Sequence, residues 1–165
     1  MDRLCFTRID SSRAADVGEL QRVMESTQSY YLLLQGRGPA SDEAARELAD
    51  LPEGFPIERK FFYLIRDGSD AVGCLDMLNG YPDPATAFLG LLLIADSLHG
   101  RGFGAEALRF AEQTARAWGC TRIRIGVIEA NEKGLGFWKH CGFSEIDRRR
   151  SDRYTSPLVV LEKPL

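Results

Sequence analysis

Gly100, Gly102 and Gly104 alternate within HGRGFGAEALRF, directly ahead of a helix-like run and just after the most apolar stretch, AFLGLLLIA. A helix opens with unpaired N–H groups and a partial positive charge, so it attracts anions. Glycines there remove the side chains that would keep a phosphate from the backbone, and Arg101 can add a charge-assisted contact. A plain strand-to-helix turn needs only one glycine. Three are costly, up to about 1 kcal/mol each in regular structure, which favours phosphate binding. The segment lacks G-x-x-x-x-G-K-[ST], excluding a P-loop. GRGFGA does satisfy the dinucleotide fingerprint G-x-G-x-x-G/A, and Glu129 closes the next strand, where a ribose-binding acid belongs. Against that assignment, DSLH separates the strand from the glycines, and residues 130–165 are too few to complete a dinucleotide fold.

The surrounding elements are legible from periodicity. LCFTRI reads as a strand, and AADVGELQRVMESTQSYY as one helix with Val17, Leu20, Val23 and Met24 on its apolar side. A second helix follows, capped by Ser41 or Asp42, with Ala44, Ala45, Leu48 and Leu51 apolar. LPEGFP ends it. KFFYLIR and AVGCLDML form a hairpin across DGSD, and TAFLGLLLIA is a strand buried on both faces. The helix after the glycines carries Ala107, Leu108, Ala111, Ala115 and Trp118 on one stripe and stops at Gly119. TRIRIGVI, a short helix in NEKGLGFWKHC ended by Gly142, and strands FSEIDRRR and PLVVLEKPL complete the chain. The expectation is one α/β (α+β) domain over residues 1–165, with a mixed, mostly antiparallel sheet of about six or seven strands and helices on both faces.

Residues 87–143 resemble the GNAT superfamily of N-acetyltransferases, which bind acetyl-coenzyme A. The acyl-donor signature, Gln/Arg-x-x-Gly-x-Gly/Ala, is matched by HGRGFG, with His99 at the Gln/Arg position and Gly102 and Gly104 in place. The later motif, N-x-x-A-x-x-[FL]-Y-x-x-x-G-F, is matched by NEKGLGFWKHCGF at Asn131, Phe137, Gly142 and Phe143, with Gly134 replacing the alanine. The resemblance implies that the backbone of Gly100, Arg101, Gly102, Phe103, Gly104 and Ala105 holds the coenzyme A pyrophosphate. It implies that Leu92, Leu93 and Ile94 pair with the pantetheine arm at a splay in the sheet, with Asn131 opposite. The implied activity is direct acetyl transfer from acetyl-CoA to a primary amine of a small molecule or protein. The alternatives are a non-catalytic acyl-CoA sensor and, more remotely, a dinucleotide-binding oxidoreductase.

The proton-handling groups depart from the family. Trp138 occupies the usual tyrosine position and cannot supply a proton at neutral pH; its other role is that of a core aromatic. The strands flanking the cleft lack the usual glutamate. Asp76, inside an otherwise apolar strand, is the candidate catalytic substitute if it faces inward; Glu129 and a water-mediated base are the others. A backbone N–H near Leu92 can serve the oxyanion. Tyr30 and Tyr81 lie in regions that line the acceptor cleft in similar proteins. His140 and Cys141 are helix neighbours whose side chains diverge, so they form no nucleophile pair.

Composition narrows the partners. With 21 basic and 24 acidic residues the net charge is -3, which gives no general affinity for nucleic acid, and DRRRSDR reads as a solvated strand edge. Two histidines and four scattered cysteines provide no metal-site spacing. Reduced thiols and the absence of a long apolar run point to a cytoplasmic protein with no membrane segment. The closing strands are where two copies could pair as a homodimer.

Overall fold

A computed structural model describes residues 3–165. Seven strands form one sheet: β1 (Leu4–Arg8), β2 (Lys60–Asp67), β3 (Asp70–Asn79), β4 (Thr86–Ile94), β5 (Arg122–Ile128), β6 (Ser144–Arg149) and β7 (Leu158–Pro164). Their order is β1-β2-β3-β4-β5-β7-β6. Every neighbouring pair is antiparallel except β4 with β5. A parallel pair needs a crossover, and α4 (Phe103–Ala117) supplies it.

Helices cover both faces. On one, α4 presents Ala107, Leu108, Ala111 and Ala115 to Leu89, Ile123 and Ile125, while α5 (Glu132–His140) adds Trp138. Small residues on α4 let its backbone approach the sheet closely. On the other, Leu20, Val23 and Met24 of α1 (Ala14–Glu25), Tyr31 of α2 (Gln28–Gln35) and Ala44 of α3 (Glu43–Ala49) pack on Phe62, Leu64, Cys74, Leu91 and Leu93. Side chains alternate across a strand, so β4 feeds both cores.

Three local expectations change. The single helix expected over residues 14–31 is two, because the chain breaks at Ser26 and Thr27, whose hydroxyls bond the carbonyls of Val23 and Met24. Such side-chain to backbone bonds compete with helix continuation. The first turn of α3 has no side-chain cap from Asp42; instead Glu43 Oε2 accepts from the Ala40 N–H at 2.7 Å. Ala45 is exposed rather than part of the buried side of α3. The α1–α2 corner is tied to the end of β4. Ser29 donates to Asp96 through its N–H (3.1 Å) and hydroxyl (2.5 Å), and the Asp96 N–H returns to Ser26 O. That clamp ties the start of α2 to the segment between β4 and the glycines.

Candidate active site

Strands β4 and β5 pair only from Thr86 with Arg122 to Leu89 with Ile125. Beyond that point residues 91–94 remain paired with β3, and residues 126–128 with β7, but not with each other. The sheet is therefore split there, exposing one edge of β4. The split begins at a β-bulge: Asp76 faces Leu91 and Met77 faces Leu89, leaving Gly90 as the extra residue. A β-carbon on Gly90 would run into the Asp76 carboxylate, so this glycine is required by contact.

The glycine loop lies just past the open end of β4. Gly100 and Gly102 have φ of 79° and 83°, in the left-handed region that disfavours other residues. A β-carbon at either would meet nothing within 4 Å, so the space beside them is open. Gly104 has a different reason: its β-carbon would press on Phe137 at 3.3 Å, so it lets α4 pack against α5. Among the described residues, no backbone N–H from residues 100–105 donates to another protein group. Among the described residues Arg101 has no ion-pair partner, while His99 Nε2 lies 2.8 Å from Ile94 O. The result is a row of unpaired donors at a helix start, open to solvent and next to a basic side chain.

Asp76 does turn inward. Its carboxylate and the Lys60 ammonium form an ion pair of 2.8 Å, with side-chain exposures of only 6% and 4%. Lys60 Nζ also donates to Asp50 O at 2.9 Å, tying the end of α3 to β2. Asp76 Oδ1 is buried without a hydrogen-bond partner. Burial pushes the Asp76 pKa up to about 6 against the opposing pull of Lys60. Glu47 on α3 is pushed up to about 7, first by burial and then by the charges of Asp50 and Asp76. The Glu47 carboxylate forms no hydrogen bond or ion pair among the described residues.

Glu47 and Asp50 line a cleft of about 820 Å³ between α3, the end of α2 and the loop joining β6 to β7. That loop returns Thr155 to the carbonyls of Leu33 and Leu34, and Arg153 reaches Asp50 across the opening at 3.3 Å. The volume suits a small-molecule site. The cleft stops short of the glycine loop; the series Glu47, Asp50, Lys60, Asp76 and Gly90 runs from its floor to the sheet split.

The remaining candidates scatter. Trp138 is 5% exposed and sits edge-on between Phe137 and Phe143, at 5.0 and 5.1 Å. Asn131 caps α5, its Oδ1 accepting from Gly134 N at 2.9 Å, with Nδ2 left over. A β-carbon at Gly134 would collide with that side chain, which explains glycine there. Tyr30 packs edge-on to Tyr31 at 5.1 Å, and burial raises both phenol pKa values. Tyr81 lies elsewhere, between Phe55 and Phe88 near the start of β4. Neither tyrosine lines the cleft. Glu129 pairs with Arg148 at the surface. Sequence reasoning overlooked Gly90, Lys60 and Glu47. A glycine interrupting an apolar strand was an available signal for the bulge; Glu47 on a polar-looking helix gave none.

Residues 20–143 match the Acetyltransferase (GNAT) family. The chain belongs to that family. An acetyltransferase from Thermus thermophilus is similar throughout, with 29% identity, full coverage of both chains and a TM-score of 0.80. A GNAT family acetyltransferase from Elizabethkingia anophelis, with acetyl-CoA bound, shares the fold at 14% identity, full coverage of both chains and a TM-score of 0.68. An uncharacterized N-acetyltransferase of Lactobacillus delbrueckii subsp. lactis is 28% identical over 91 residues, 52% of this chain and 53% of that protein. The match thus spans about half the length of that relative. The GNAT sheet, with one parallel pair, replaces the parallel array that a dinucleotide fingerprint requires. No helix among the described residues is long and apolar enough to cross a membrane.

Proposed function

We propose that this GNAT protein is a cytoplasmic N-acetyltransferase that transfers an acetyl group directly from acetyl-CoA to a primary amine. The observation that carries the reading is the unpaired N–H run at residues 100–105 beside the open edge of β4. The residues fit the donor. Backbone amides of Gly100, Gly102, Phe103, Gly104 and Ala105 would hold the pyrophosphate, with Arg101 adding charge and His99 at the margin. Leu92, Leu93 and Ile94 offer backbone to an amide-bearing arm, and Asn131 Nδ2 a donor opposite.

Acetyl-CoA supplies an activated thioester, whose C–S bond breaks as the C–N bond forms. The free edge of β4 can direct a backbone N–H at the developing oxyanion. Asp76 sits against the bulge and holds Lys60 in place. Trp138 supplies no proton, so the leaving thiolate departs unaided, tolerable for a thiol of pKa about 8.5. Neither Tyr30 nor Tyr81 lines the cleft, so neither is assigned a contact with the acceptor.

A buried tryptophan at the tyrosine position favours a second reading, a non-catalytic acyl-CoA-binding domain. One assay separates them: release of free CoA from acetyl-CoA with a panel of polyamines, amino acids, aminoglycosides and peptides. At least one amine should give catalytic turnover. Binding of acetyl-CoA without release by any amine establishes the second reading instead.

A further inference from the structure

We propose that Glu47 is the general base of this enzyme, and that the acceptor is an alkylammonium ion entering through the cleft between α3 and the β6–β7 loop. This rests on the N-acetyltransferase reading above. The cleft is lined by four acids, Glu43, Glu47, Asp50 and Asp152, and three arginines, Arg37, Arg46 and Arg153. Arg46 pairs with Asp42 and Arg153 with Asp50, and beneath the lining Lys60 Nζ is held by Asp76 Oδ2 and Asp50 O. On the cleft wall the Glu47 carboxylate has no donor among the described residues; Asp76 Oδ1 also lacks one but is buried out of the cleft's reach. A protonated amine supplies both the missing positive charge and N–H donors. A neutral arylamine supplies no charge.

Among Glu47, Asp50 and Asp76, Glu47 is the unpaired member that an acceptor can touch, since Asp50, which also lines the cleft, is paired with Arg153. Glu47 lines the cleft, whereas Asp76 Oδ1 is sealed from it and Oδ2 is held by Lys60. Asp76 therefore acts as a positioning residue, fixing Lys60 beneath the floor. In the step assigned to Glu47, an N–H bond of the ammonium breaks and an O–H bond forms on the carboxylate. The freed nitrogen lone pair becomes the nucleophile, and the carboxylic acid later returns its proton to solvent through the cleft. A base is most effective with a pKa near working pH, and Glu47, pushed up to about 7, meets that condition. The groups that set it are Asp50 and Glu43 on its own helix and its C-terminal end, Asp76 on β3 and Lys60 on β2. The phenols Tyr30 and Tyr31 of α2 sense Glu47 in turn, as do Arg153 and Tyr154 from the opposite wall.

The test compares Glu47→Gln and Glu47→Asp with the wild type, using the amine that releases CoA fastest from the wild type. Glu47→Gln should lower kcat by roughly 10²–10⁴-fold, the usual contribution of general base catalysis. Acetyl-CoA affinity should stay within about twofold of wild type, since no residue of the glycine loop is touched. The acidic limb of kcat/KM near pH 7 should vanish in Glu47→Gln and persist, at reduced rate, in Glu47→Asp. In the protein without acetyl-CoA, a ¹³C carboxyl titration should put the Glu47 midpoint near 7. Turnover by Glu47→Gln within about threefold of wild type across the pH range, or a midpoint at the ordinary 4.5, overturns the assignment alone. A wild type that binds acetyl-CoA but releases CoA with no amine overturns the acetyltransferase reading and this assignment with it.

Discussion

Lys60 and Asp76 form a buried ion pair that is costly to desolvate. Two charges are nearly dry, and their attraction must offset a desolvation cost of several kcal/mol for each ion. Removing one partner leaves the other buried and uncompensated, so Lys60→Met should lower the unfolding free energy by about 3–5 kcal/mol in urea titrations. The double variant Lys60→Met/Asp76→Leu should recover most of that loss; equal stability of Lys60→Met and wild type contradicts the buried pairing. The sequence showed Asp76 as an acid in an apolar strand, but not its partner. Lys60 opens its strand, where a lysine ordinarily meets water. Glu47 and Asp76 also set a pH dependence. Both have folded pKa values, about 7 and about 6, above the ordinary 4.5 and 3.8, so folding takes up protons. Their contribution is full below about pH 4 and is lost as pH rises through about 6 and 7. Stability should therefore fall between about pH 4.5 and 8, and Glu47→Gln should flatten the slope. Thermal midpoints across that window check this; a wild-type midpoint that climbs with pH is the contrary result.

At the scale of elements, the glycine loop was legible because its composition states its purpose: three glycines and an arginine before an amphipathic helix. The structure separates their roles. Gly100 and Gly102 turn the backbone through positive φ beside open space, and Gly104 seats α4 on Phe137. Gly102→Val combines strain at φ 83° with bulk above the unpaired N–H groups. Acetyl-CoA affinity measured by calorimetry should fall at least about tenfold with the fold retained; unchanged affinity removes the loop from the donor site. The sheet split was less legible. Strand periodicity gives β4 its extent, but where β4 parts from β5 depends on which residues remain paired across strands distant in sequence. The break after Ser26 was hidden for a related reason. Its apolar spacing continues smoothly, and only the hydroxyl bonds of Ser26 and Thr27 interrupt the helix.

At the scale of the whole molecule, two faces of one sheet divide the labour. On the α4–α5 face, Ala107, Ala111 and Ala115 lie buried against the sheet and seat the helix that follows the glycine loop. The α1–α3 face ends in a charged cleft. Short, regular motifs carry the first face, which is why the family was recognisable from HGRGFG and NEKGLGFWKHCGF. The second is assembled from α3, β2, β3 and the β6–β7 loop, whose site residues are spread from Glu47 to Thr155 and share no local pattern. The bulge at Gly90 joins the two, since β4 meets both cores and the buried ion pair. Acetyl transfer, as proposed, requires both faces together. Its most direct test is the rate of CoA release from acetyl-CoA by the purified protein, with and without each amine of the panel. Turnover should depend on an alkylamine and yield one acetylated product per CoA released. Binding of acetyl-CoA with no amine-dependent release contradicts it.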